Sequence, residues 1–126
     1  MESDPTAVVL AYLDAFEKRQ FDRVAELLDP DLDFQGPGGS THGAEAYLTA
    51  IKRLGLILLR NAIVKTFADG NDVCVIYDFV TDTPAGAVPS IEWHTIEAGR
   101  IRTLRLYFDR VAFAPVREEL ARRASS

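Results

Sequence analysis

At 126 residues, 48% of them hydrophobic and 26% charged, the chain has the size and composition of one soluble domain able to bury about two-thirds of its unfolded surface. Its formal charge of −5 excludes the basic stripe that nucleic-acid binding needs, since Arg100, Arg102, Arg105 and Arg110 are spread along one segment among acids. No apolar run reaches the ~18 residues of a membrane span, and the opening MESDPTAVV is acidic and unlike a signal peptide, so a cytoplasmic protein without membrane contact is expected.

Asp4 before Pro5 offers an N-cap acceptor and a proline at the first helical position. Val8, Val9, Tyr12, Leu13 and Phe16 then recur at helical spacing and predict a first helix with one apolar stripe. A break at Arg19-Gln20 leads into a second helix with Val24, Leu27 and Leu28 inward, which Pro30 should stop. DLDFQGPGGSTHG predicts a short strand, Leu32 to Gln35, running into a Gly-rich loop. A third helix is expected over about Ala44 to Leu54, with Tyr47, Leu48 and Ile51 on one side.

From residue 56 the apolar period changes, and β segments are expected over 56–68, 72–82, 88–97 and 100–113. The turns ADGND and DTPAGAVP separate them, and the tail VREELARRASS predicts a short terminal helix. Cys74 is the sole cysteine, so no internal disulfide exists, and its apolar strand predicts a small buried hydrophobe. Two histidines and scattered acids show no metal-ligand spacing, so neither metal nor cofactor is expected. Three helices followed by a curled, mostly antiparallel sheet make an α+β fold, a single domain over 1–126. A strongly curved sheet wrapped around helices forms a cone-shaped α+β barrel, with a cavity suited to small ligands at its mouth.

The hairpin PSIEWHTIEAGRIRTLRLYFD decides what that cavity holds. One face of its first strand carries Ser90, Glu92 and His94; the other carries Ile91, Trp93 and Thr95. A two-residue loop at Ala98-Gly99 would need positive φ at Ala98, which a Cβ disfavours. A three-residue loop, Glu97-Ala98-Gly99, needs positive φ only at Gly99. It would pair Ile96 with Arg100, Glu92 with Leu104, Ser90 with Leu106 and Val88 with Phe108. The apolar face Leu104, Leu106 and Phe108 should cover the helices, so register turns Ser90, Glu92 and His94 inward. The opposite face, with Ile91, Trp93, Thr95, Ile101, Thr103 and Tyr107, is too apolar to stay wet and suggests a homodimer through the sheet.

These residues in this order resemble the nuclear transport factor 2-like superfamily, in particular its SnoaL-like branch. AVVLAYLDAFEKRQFDRVAELLDPDLDF, GAEAYLTAIKRL and IEAGRIRTLRLYFD carry the likeness over nearly the whole chain. Family members include isomerases, cyclases, dehydratases, epoxide hydrolases and proteins with no chemistry. Ketosteroid isomerases polarise a carbonyl with a tyrosine and a protonated acid, and Tyr12 and Glu92 fall where the likeness places those groups. Their aspartate base would fall near Gly36. The water-holding set of limonene epoxide hydrolases would fall on Phe34, Gly36, Tyr77, Phe79 and Leu106, none of which can play that part. Polyketide cyclases of the SnoaL type use an aspartate where Leu106 stands and a histidine where Glu92 stands.

Glu92 is therefore the first candidate for catalysis. Flanked by Leu104, Leu106, Phe34 and Phe79, its carboxyl would be desolvated, which suits it to hydrogen-bond an oxyanion or to take a proton. Tyr12 and His94 are its expected assistants. Leu13, Phe16, Phe34, Leu54 and Val75 are expected to line the substrate site, with Tyr77, Phe79, Ser90, Leu106 and Phe108 completing it; the parity of 75, 77 and 79 rests on the resemblance. His42, in the Gly-rich loop, is expected at the pocket mouth. The expected ligand is a small hydrophobic molecule with one polar end, and the expected activity is isomerisation, cyclisation or dehydration beside a carbonyl. A non-catalytic hydrophobic-ligand binding protein and a dimeric interaction domain are the alternatives.

Overall fold

In the computed structural model, which describes residues 4–124, Asp4 caps helix α1 (Pro5–Glu17) by accepting the Thr6 N–H at 3.1 Å. The stripe Val8, Val9, Tyr12, Leu13 and Phe16 is buried, and α1 lies against the inner face of the sheet. The chain leaves α1 through Arg19, whose φ of 59° makes the sharp corner into α2 (Phe21–Leu27). That corner is pinned by the Arg19 guanidinium, which donates to the Gly55 carbonyl at 2.7 Å and the Leu58 carbonyl at 2.9 Å.

α2 ends before Pro30, because Leu28 already has extended dihedrals and opens β1 (Leu28–Gly36). Pro30 sits instead in the stretch where the ladder from β1 to β6 shifts register, a place where a missing N–H costs least. The Gly-rich segment is not a loop throughout: Gly39–His42 forms β2, paired to β1 across Pro37-Gly38, with Gly39 at φ 134°. Helix α3 spans Ala44–Leu54, and β3 (Leu58–Asp69), β4 (Asp72–Thr81), β5 (Ala87–Glu97) and β6 (Arg100–Phe108) follow.

The six strands form one curved sheet in the order β2-β1-β6-β5-β4-β3. Only β1 and β6 run parallel; the other pairs are antiparallel, so the sheet is mixed. The strand expected over 100–113 stops at Phe108. Asp109 then accepts the Val111 N–H at 2.8 Å and starts α4 (Arg110–Ala124). α4 packs through Phe113, Val116 and Leu120. Its last turn is held by Arg123, which donates to the Leu56 carbonyl at 2.8 Å and pairs with Asp82 at 3.2 Å.

The β5–β6 turn is the two-residue loop that sequence reasoning set aside. Glu97 pairs with Arg100, Ala98 takes φ 50° and Gly99 φ 76°. Ile96 pairs with Ile101, then Thr95 with Thr103, so Arg102 is an extra residue in β6, a β-bulge. The bulge supplies the odd count that a three-residue loop would have supplied. Glu92 consequently faces Leu106 and Ser90 faces Phe108, two positions from the expected register but on the expected side of the sheet. Ser90, Glu92 and His94 are buried inside, while Ile91 and Trp93 are each 39% exposed outside. Ile101, expected outside, lies on the buried side because it precedes the bulge. Cys74, opposite Trp93, is half-buried on the outer side and not in the core.

Candidate functional site

Helix and strand periodicity converge on one apolar cavity beneath the helices. Tyr47, Ala50, Ile51 and Leu54 lie on one face of α3 at helical spacing. Tyr77 and Phe79 come from alternate positions of β4, and Ser90 and Glu92 from alternate positions of β5. Leu106 and Phe108 of β6, Phe34 of β1 and Phe16 of α1 complete the wall, and Phe113 of α4 closes it. The empty volume, counted out to the open mouth, is about 530 Å³. The Phe113 ring packs, tilted, 4.5 Å from Phe108 and 6.3 Å from Phe79, so this part of the wall is aromatic.

The wall is polar at one place. Glu92 is 3% exposed, and both its oxygens are held: Oε2 accepts from the Tyr77 hydroxyl, and Oε1 meets Nε2 of His94 at 2.8 Å. His94 is fully buried behind Glu92, and its Nδ1 has no partner. Its ring stands edge-on to Tyr12 at 5.7 Å. Tyr12 in turn hydrogen-bonds the Tyr47 hydroxyl.

These contacts give the phenols assigned roles. Burial pushes Tyr12 well above its ordinary value, with Tyr47 and Glu92 adding to it. Burial also raises Tyr47, and Glu92 adds to this, but the hydrogen bond with Tyr12 works the other way. Either hydroxyl of this pair can donate to the other, and Tyr47 is the one that lies on the cavity wall. Tyr77 is raised by burial and by the adjacent Glu92, to which it gives its proton. All three phenols therefore stay neutral at physiological pH.

Of the residues singled out from sequence, Phe16, Phe34, Leu54, Tyr77, Phe79, Ser90, Glu92, Leu106 and Phe108 lie on the cavity wall. Leu13 and Val75 do not; both are buried in the core beside it. Tyr12 and His94 are one layer behind the wall and reach the cavity only through Tyr47 and Glu92. His42 is not at the mouth. It lies in β2 opposite Asp33, exposed, with Nδ1 2.7 Å from Asp33 Oδ1, in a separate polar cleft with Ser40, Thr103 and Arg105. That contact, with Arg102 nearby, holds the Asp33 carboxyl below its usual range.

Sequence reasoning missed Tyr47 as a functional group, along with Ala50, Ile51 and Phe113 as wall. The helical stripe 47, 51, 54 was a visible signal, but a stripe facing a core and a stripe facing a cavity look alike. Gly36 shows what fills the place of a family base. A Cβ there would stand 2.8 Å from Cζ of Phe34, whose ring, 4.9 Å from Tyr47, covers that backbone. A side chain at 36 would have to displace it.

The family model described as the SnoaL-like domain matches residues 9–104. The chain is a member of the SnoaL-like family. Two solved structures show the same architecture at appreciable identity. A protein from Kribbella flavida is 29% identical, with a TM-score of 0.81 and coverage of 95% of this chain and 96% of that one. An NTF2-like protein of unknown function from Cytophaga hutchinsonii is 27% identical, with a TM-score of 0.76 and coverage of 90% and 97%. TerC, co-crystallised with polyporic acid, shares the fold at 20% identity and a TM-score of 0.74, covering 89% and 96%. No curated protein is significantly similar in sequence. The helices and curved mixed sheet of this chain match the fold of these SnoaL-like relatives. Among the described residues no helix is long and apolar enough to cross a membrane, and no group of metal-binding side chains is found.

Proposed function

We propose that this SnoaL-like protein is a cytoplasmic, cofactor-independent enzyme that moves a proton beside a carbonyl of a small hydrophobic molecule. One observation carries the reading: a buried carboxylate, Glu92, stands alone at the polar end of an apolar cavity, fixed by Tyr77 and His94. A carboxylate has about four lone-pair sites. Tyr77 and His94 occupy two, and the others remain for substrate. Glu92 takes a proton from the carbon beside the carbonyl. The electron pair of that C–H bond moves onto the carbonyl oxygen, where the Tyr47 hydroxyl on the cavity wall, turned toward substrate, stabilises the growing charge. Return of the proton from Glu92 to another carbon completes an isomerisation. His94 and Tyr12 are positioning residues, because neither reaches the cavity.

Deuterium uptake from heavy water by 2-tetralone, followed by NMR, tests this. We expect exchange well above buffer with the wild-type protein and loss of about 100-fold or more in Glu92→Gln. Equal exchange in both proteins would remove Glu92 from the mechanism. A binding role without turnover is favoured by Gly36 and Leu106, where no second acid–base group exists; tight binding with no exchange would select it.

The outer sheet face is proposed as a homodimer interface. Ile91 and Trp93 are each 39% exposed, Tyr107 51% and Phe67 56%, beside the half-buried Thr95. Trp93 is already ordered there, donating to Asp72 at 3.0 Å beneath the Arg105 guanidinium.

A further inference from the structure

The polar cleft on the outer side of the sheet carries its side chains in two rows across three strands. In one row His42 of β2 stands opposite Asp33 of β1, and Asp33 opposite Thr103 of β6. In the next, Ser40 stands opposite Gln35, and Gln35 opposite Arg105. Neighbouring strands lie about 4.8 Å apart, so each row sets three side chains next to one another. Leu32 and Leu104, at the alternate positions of β1 and β6, are buried, which puts the cleft on the opposite side of the sheet from Glu92.

The first row is satisfied within itself. Asp33 Oδ1 meets His42 Nδ1 at 2.7 Å, and Oδ2 accepts from Arg102 at 3.4 Å, so both oxygens of the cleft's one carboxylate are engaged. The second row is different. Among the described residues, the side chains of Ser40, Gln35 and Arg105 make no hydrogen bond or ion pair. Arg105 is nevertheless held, with its guanidinium 4.9 Å from the centroid of the Trp93 ring. Such stacking uses the face of the guanidinium and leaves its five N–H donors, which lie in the plane, open to a ligand.

We propose that this row is an oxyanion site, where a carboxylate or phosphate group of a small molecule binds edge-on to Arg105. The planar fork matches two oxygens of either group, and the Gln35 amide and Ser40 hydroxyl are the further donors. Trp93 keeps the fork ordered, which lowers the entropy that binding would otherwise cost. Asp33, which would repel an anion, is turned into His42 and Arg102.

The test titrates succinate and, separately, inorganic phosphate into the full chain, with chloride exchanged to hold ionic strength constant, and follows backbone amide shifts by NMR. Saturating shifts centred on residues 33–42 and 103–105 are expected, with a dissociation constant below about 10 mM. Arg105→Gln should weaken binding at least about tenfold. Lys65→Gln, which removes the same charge from β3, should leave it unchanged. Saturation by succinate, by phosphate or by both supports the site and identifies which group it takes. Shifts that rise without levelling off to about 50 mM are screening of surface charge and overturn it. So do shifts centred elsewhere, and so does an equal loss in Lys65→Gln. The wild-type shift map is decisive by itself if Arg105→Gln disturbs the fold.

Discussion

Glu92 and His94 are ionisable groups 3% and 0% exposed, and each is the other's neighbour at 2.8 Å. Neither belongs in an apolar interior alone. Removing one partner of such a buried pair costs about 3–5 kcal/mol, because the survivor keeps its desolvation and loses its compensation. His94→Ala is therefore expected to lower unfolding stability by about 3 kcal/mol or more in urea titration. Combining it with Glu92→Leu should cost well under the sum of the single effects, since the two act as one unit. Additive losses would show the pair to be incidental. His94 also carries an unpartnered Nδ1 in a sealed environment, a defect that a purely structural core would not favour.

At the scale of elements, the β5–β6 hairpin sets the side on which Glu92 stands. Ala98 pays for that turn with φ 50°, a left-handed conformation that costs an L-residue about 1 kcal/mol or more. Ala98→Gly should raise stability by about 0.5–1 kcal/mol in the same assay, without moving the strands. No gain would mean that the flanking ladder, and not the turn, bears the strain. The case also explains a specific failure of reading. Propensity argued against positive φ at Ala98 and favoured a three-residue loop; the sheet tolerated the strained residue and placed its odd residue at Arg102 instead. Glu92 still faces inward because side-chain direction depends on the parity of the total count, and the bulge restored it. The helices were easier. Asp4-Pro5 and the stripes of α1 and α3 are local signals, whereas the β2 strand exists only because β1 is there to pair with it.

For the whole molecule, the outer face of the sheet is where association is expected. Trp93→Asp would put a charge amid Ile91, Tyr107 and Phe67, and sedimentation velocity should show a wild-type dimer become a monomer of 14.0 kDa. A wild-type monomer at micromolar concentration would remove the dimer. The amino-acid sequence determined the helical stripes, the strand order of polar and apolar faces, and the candidacy of Glu92, because each follows from periods of 3.6 and 2 within a short window. It could not show that Tyr47 meets Tyr12, that His94 stands behind Glu92, or that His42 turns away to Asp33. Those contacts join residues from different elements, apart from His94 and Glu92, whose pairing within one strand depends on both being sealed beneath the helices. Curvature of the sheet brings such groups together, and curvature is a property of the packed chain rather than of any segment.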